Sequence, residues 1–195
     1  MKDLTGLSFY INKVYETDRL ILKVLDGTYA EQVLDYYIRN KNFLKEWEPK
    51  RSDEFYTVET HENQLKKDLK EIEEKRAFRL WIFKKGDTSS RIIGTVAFNH
   101  IIWGSFLSCI AGYKLDNEEM NKGYITEALR KGIDIMFNEY KLHRIEANIL
   151  PRNTMSLRVV EKLGFYNEGT AFKYLNINGK WEDHIHMVLR NETME

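Results

Sequence analysis

The stretch from residue 77 to 150 most constrains what this chain can fold into. Three β-patterned segments, AFRLWIFKK, IIGTVAFNHII and FLSCIAGYKL, follow one another across the turns KGDTSSR and WGS. A polar loop, LDNEEMNKG, then leads into YITEALRKGIDIMFNEY, where Ile125, Leu129, Ile133, Met136, Phe137 and Tyr140 share one helical face. RIEANIL, with Ile145, Ala147 and Ile149 alternating, is a further short strand. Tight turns between strands give antiparallel pairs, whereas a strand–helix–strand crossover gives a parallel one. A chain that carries both kinds of connection builds a mixed sheet with helices on both faces.

The flanks extend this pattern. Thr17–Leu25 alternates as a strand, and Val33, Leu34, Tyr37 and Ile38 mark a first helix over about Tyr29–Ile38. NKNFLKEWEPKR then breaks periodicity and reads as an aromatic loop. A densely charged helix over about Val58–Arg76 carries a narrow apolar stripe of Leu65, Leu69 and Ile72. Pro151 and Asn153 start another helix, closed by Gly164 in KLGF. Two last strands flank Asn178-Gly179, a strong hairpin signal. The predicted fold is α/β (α+β), with a mostly antiparallel central sheet of about seven strands.

Only two prolines, no repeat and no low-complexity tract interrupt the chain, so residues 1–195 read as one domain with an N-terminal extension over about 1–13. Lys+Arg and Asp+Glu number 30 each, which argues against capture of nucleic acid or an anionic membrane by overall charge. The lone Cys109 excludes an internal disulfide framework and a multi-Cys zinc site, and fits a reducing, cytoplasmic setting. Cys109 reads as a small buried residue rather than a nucleophile, because no His/Asp partner pattern accompanies it. His184 and His186 share a strand face, but without a third ligand no metal is expected.

The chemistry-bearing stretch is the turn before the long helix, Asn121-Lys122-Gly123-Tyr124-Ile125-Thr126. Unpaired backbone N–H groups and the positive end of the helix dipole make a helix start an anion site. Gly123 lets backbone approach a ligand closely, and Lys122 adds a mobile positive charge. These residues read either as a diphosphate cradle or as an ordinary helix start. Neither a Walker A loop nor G-x-G-x-x-G is present.

The succession GYKLD, NKGYITEAL, HRIEANILPRNTMSLRVVEKLGF and xEG resembles the GNAT superfamily of N-acetyltransferases over about Ile92–Leu189. The segments NHIIWGSFLSCIAGYKLD, KYLNINGKWEDHIHMVL and the early FLKEWEPKRSDEFYT are similar to the ribosomal-protein-alanine (RimJ/RimL-like) branch, which extends the likeness over nearly the whole chain. The resemblance implies acetyl-CoA as acetyl donor, without a metal. It places Tyr113, Lys114, Leu115, Met120, Asn121, Lys122, Gly123, Tyr124, Ile125, Thr126, Asn153 and Ser156 along the cofactor, with Asn153 near the pantetheine amides. It also places Phe43 and Trp47 beside the acceptor.

Several positions depart from the family pattern. The loop's usual Gln or Arg is Met120, the branch's first paired glycine is Asn121, and a later Gly or Ala is Ile125. Many members carry an acidic Tyr seven residues after the Asn, where this chain has Val160; the branch offers Ser156 instead as the acid for the leaving thiolate. Glu48 and Glu168 are the base candidates, with Glu146 a third. An α-amino group has a pKa of about 7.7–8.0, so it is partly neutral at cell pH and a strong base is less necessary. The expected reaction is direct attack of an amine on acetyl-CoA in a ternary complex. The expected acceptor is the N-terminus of a (ribosomal) protein. A small amine such as a polyamine, amino acid or antibiotic, and a non-catalytic CoA- or peptide-binding module, are the alternatives. Monomer and homodimer both stay open, and no direct nucleic-acid or membrane partner is expected.

Overall fold

The computed structural model describes residues 13–89 and 91–195, so most of the expected N-terminal extension lies outside it. Eight strands form one sheet: β1 (Val14–Glu16), β2 (Leu20–Lys23), β3 (Phe78–Lys84), β4 (Gly94–Ile102), β5 (Ser108–Leu115), β6 (Arg144–Ile149), β7 (Tyr166–Ile177) and β8 (Lys180–Arg190). Their order is β1-β2-β3-β4-β5-β6-β8-β7. Every neighbouring pair is antiparallel except β5–β6, the product of the helical crossover. The strand that sequence reading missed is β1, whose three residues are too short to display alternation.

Among the described residues there are five α-helices: α1 (Ala30–Arg39), α2 (Lys41–Leu44), α3 (Val58–Glu73), α4 (Tyr124–Asn138) and α5 (Thr154–Glu161). The single-turn α2 falls inside the segment expected to be loop; four residues cannot show a helical period. The buried stripe of α1 is Ala30, Val33, Tyr36 and Tyr37, while Ile38 faces solvent. The expected stripe of α3 is buried as read, joined by His61.

Alternation along β3 sorts side chains between the two layers. Trp81 and Phe83 pack with Tyr36, Tyr37 and Leu65 of α1 and α3. Phe78, Leu80 and Ile82 join Val96, Phe98, Ala128, Leu129 and Val160 in the other cluster, with α4 and α5. Gly132 of α4 sits against Phe98, whose ring would stand 2.6 Å from an added Cβ. Asn178 and Gly179 both take positive φ, 56° and 86°, the geometry a two-residue hairpin turn requires. No helix among the described residues is long and apolar enough to cross a membrane.

The α4–Phe98 contact yields a stability prediction. Gly132→Val forces two branches into ring atoms and should cost about 1–3 kcal/mol despite the better helix propensity of Val. Thermal unfolding of the variant should begin several degrees lower; an unchanged or higher Tm would contradict the packing described.

Candidate active site

The β5–β6 ladder spans only Ser108↔Arg144, Cys109↔Ile145 and Ile110↔Glu146. Beyond it, β5 continues to Leu115 on the register of β4, and β6 continues to Ile149 on that of β8. The two strands therefore part company, each held by its outer neighbour. A cleft of about 390 Å³ opens there, with Ala111–Leu115 on one wall and Ala147–Leu150 on the other. Met120 and Ile125 close it from the start of α4, Asn153, Ser156 and Val159 from α5, and Phe43, Trp47 and Glu48 from the α2 region.

Of the expected cofactor residues, Tyr113, Lys114, Leu115, Met120, Ile125, Asn153 and Ser156 line this cleft. Asn121, Lys122, Gly123, Tyr124 and Thr126 form the turn between Met120 and the first coil of α4. Gly123 is the N-cap at φ 80°, a left-handed conformation, and no side chain caps the helix. The first intrahelical bond runs from the Glu127 N–H to the Gly123 carbonyl, 3.1 Å. The amides before Glu127 lie ahead of the helical ladder, as a helix start requires. At α5, Asn153 Oδ1 accepts the Ser156 N–H at 3.1 Å, so Asn153 is an N-cap.

The positive charge at this turn differs from expectation. Lys122 Nζ donates to the Glu118 carbonyl and to Glu119 Oε2, at 2.8 and 2.9 Å, which removes it as a mobile charge. Arg19 of the β1–β2 turn comes in instead. Its Nε donates to Glu127 Oε2 (2.7 Å) and its Nη1 to the Lys122 carbonyl (2.9 Å), and its guanidinium covers the Tyr124 ring. Arg19 Nη2 lies 3.4 Å from where a Gly123 side chain would begin. Nothing local to TDRL announces this, because its partners stand more than 100 residues away.

Ser156 and Tyr113 form a hydroxyl pair. Their oxygens are 2.7 Å apart, and Tyr113 Oη also donates to the Ser156 carbonyl at 3.0 Å. Burial pushes the Tyr113 phenol up to about 12, so it stays protonated at neutral pH. Val160, at the position of the family's acidic Tyr, is fully buried and offers no proton.

The three carboxylates separate by location. Glu48 lines the cleft, with Lys114 Nζ 2.5 Å from Oε1 and Arg51 Nη2 3.1 Å from Oε2. Its loop is tied down by the distant hairpin, since Asn178 Oδ1 accepts the Lys50 N–H at 2.6 Å. Glu146 and Glu168 are both drawn to Arg144, and neither lines the cleft. Hydrogen bonds from Arg144 pull Glu168 down to about 2, leaving it a poor proton acceptor. Cys109 is a buried residue of β5, and burial pushes its thiol up, away from the reactive thiolate. Among the described residues, no three His, Cys, Asp or Glu side chains gather as a metal site.

A parted parallel pair, a glycine turn at a helix start and a capped second helix meet at this cleft. The acetyltransferase (GNAT) domain family matches residues 19–166, and the chain belongs to that family. It is 39% identical over 172 residues to the probable N-acetyltransferase YjcK of Bacillus subtilis (strain 168), covering 88% of this chain and 94% of that protein. It is 34% identical over 169 residues to the ribosomal protein uS5-alanine N-acetyltransferase of Escherichia coli (strain K12), covering 87% and 86%. The solved ribosomal-protein-S5-alanine acetyltransferase from Vibrio fischeri superposes with a TM-score of 0.88 at 36% identity, over 94% of this chain and 100% of that one. The protein is an acyl-CoA-dependent N-acetyltransferase with ribosomal-protein-alanine acetyltransferases among its relatives.

The fate of Glu168 gives a direct check. Glu168→Gln should leave kcat/KM within about two-fold of the parent between pH 6 and 9, because a carboxylate locked on Arg144 takes no proton there. A ten-fold loss confined to that variant's acidic limb would return Glu168 to the chemistry.

Proposed function

We propose that the protein acetylates the N-terminal α-amine of a protein, a ribosomal protein being the favoured acceptor, by direct attack on acetyl-CoA within a ternary complex. The observation that carries this reading is the β5–β6 cleft, open between two separately anchored strand edges. A backbone edge offers N–H and C=O groups to an amide-bearing chain such as pantetheine. The diphosphate would lie on the amides of Asn121–Thr126, beside Arg19, with Asn153 and Ser156 flanking the arm. The wider side of the cleft, with Phe43 and Trp47, would receive the acceptor. Residues 1–195 then act as one acetyltransferase domain, in the cytoplasm.

Chemistry needs an uncharged amine, a positioned thioester and a proton for the departing sulfur. The hydroxyl pair supplies the last: Tyr113 keeps its proton on the Ser156 carbonyl, and Ser156 turns its own proton from Tyr113 Oη toward the sulfur. The resemblance to uS5-alanine acetyltransferases favours a peptide acceptor over a small amine. A free α-amine also suits a cleft without a strong carboxylate base, whereas a lysine side chain with a pKa of about 10.4 does not.

Initial-velocity kinetics on acetyl-CoA with short peptides and small amines test the proposal. Intersecting double-reciprocal lines, preference for peptides with a free N-terminus and kcat/KM rising through the α-amino pKa of about 8 are the expected results. Parallel lines, or preference for polyamines, would overturn it. Ser156→Ala should lower kcat about ten-fold or more while the KM for acetyl-CoA stays within about three-fold. A parent-like kcat would confine Ser156 to its helix.

A further inference from the structure

On the acceptor wall, β7 and β8 place Tyr174, His184 and His186 around Asn148 of β6. His184 lines the cleft and is only 3% exposed. Its Nδ1 faces the Glu182 carbonyl at 3.1 Å, which accepts a proton and does not donate one. That bond selects the tautomer with hydrogen on Nδ1 and leaves Nε2 with a lone pair. Among the described residues, nothing hydrogen-bonds to His184 Nε2. The Tyr174 ring lies against both imidazoles, with centroids 5.5 and 5.0 Å away, and its hydroxyl accepts from Asn148 Nδ2 at 3.2 Å. Two further polar atoms of the cluster, Asn148 Oδ1 and His186 Nε2, are buried without a partner. Buried polar atoms are nearly always satisfied, so the unpartnered Asn148 Oδ1, lining the same cleft as His184, points to a ligand with N–H groups.

We propose that this wall receives the acceptor amine and that His184 Nε2 takes its proton during acetyl transfer. The assignment rests on the N-acetyltransfer reading above and names the group that reading lacks. The amine nitrogen bonds to the thioester carbon, and the resulting N–H⁺ passes its proton to Nε2. The C–S bond then breaks, its electron pair stays on sulfur, and the hydroxyl pair protonates the thiolate. The imidazolium returns its proton to solvent, and the hydroxyl pair recovers one from there. His184 enters the cycle neutral: burial lowers its pKa, outweighing the Glu182 contacts that raise it, and His186 and Arg152 lower it further. The Glu182 carboxylate on the same strand is itself offset by Arg152 and Lys180, at 3.2 and 3.4 Å. Tyr174 is the titratable group facing it from β7, and Asn148 brings no charge from β6.

His184→Asn tests the proposal, because its amide can keep the donation to the Glu182 carbonyl while removing Nε2. At pH 7 its kcat/KM for a peptide amine should fall about 100-fold. The Kd for acetyl-CoA should stay within about two-fold. The loss should shrink as pH rises, since solvent base replaces the missing imidazole. His184→Ala with added imidazole should recover activity in proportion to imidazole, a response that a merely structural histidine does not give. Activity within about two-fold of the parent, or a loss that is independent of pH and unrescued by imidazole, would overturn the assignment. Should His184→Asn fail to fold, the parent's own profile decides: its acidic limb must include a group titrating below the ordinary imidazole range, and a limb set by the amine alone contradicts the proposal. Failure of N-acetyltransfer itself would show differently, as absence of CoA release by the parent enzyme with every amine.

Discussion

Ala111 to Leu115 and Ala147 to Ile149 would be ladder partners if β5 and β6 stayed parallel neighbours. They are instead held apart by antiparallel partners on their outer edges, β4 for one and β8 for the other. Unpaired strand edges inside a protein are costly unless something else satisfies them. Here the gap is the place where an extended, amide-bearing ligand can lie. The helices that follow the two strands, α4 and α5, both begin beside this gap, with Ile125 of α4 and Asn153 and Ser156 at the start of α5 lining it. The cleft, the glycine turn and the Asn153 cap thus lie together where the β5–β6 ladder stops.

Charge is distributed to serve that gap. Equal numbers of acidic and basic residues cancel in sum, yet locally they are matched pair by pair. Glu127 holds Arg19 at the turn, Glu119 holds Lys122 and Lys84, and Arg144 binds Glu146 and Glu168 away from the cleft. Most of these pairs are partly exposed, where each contributes little to stability. Their larger effect is to decide which charges remain available. Arg19, paired with Glu127, is held beside Gly123, whereas Lys122 is turned back to Glu118 and Glu119; Glu48 lines the cleft and Glu168 does not.

Elements with a repeating pattern were legible in the sequence. The alternation of β3–β6, the apolar stripe of α4, the Asn178-Gly179 turn and the cap at Asn153 depend on neighbours within a few residues. Gly123 was legible as a point where backbone can approach a ligand closely, and the structure adds that it takes a positive φ as the N-cap. What could not be read locally is what depends on distant partners. β1 is too short for alternation, and its neighbour Arg19 finds its acceptors more than 100 residues downstream. Asn178 was visible as a hairpin residue, but not as the anchor of the Glu48 loop. His184 and His186 were visible as one strand face, and only the fold shows Tyr174 and Asn148 closing around them. Pattern finds the scaffold, whereas the pairing of side chains across it assigns the roles.

A crystal structure of the protein with CoA tests the central claim most directly. The diphosphate should lie on the backbone amides between Asn121 and Thr126 with Arg19 beside it, and the thiol end should sit between β5 and β6 near the Ser156 and Tyr113 hydroxyls. A diphosphate bound away from this turn, or a thiol outside the gap where the β5–β6 ladder stops, would contradict the account.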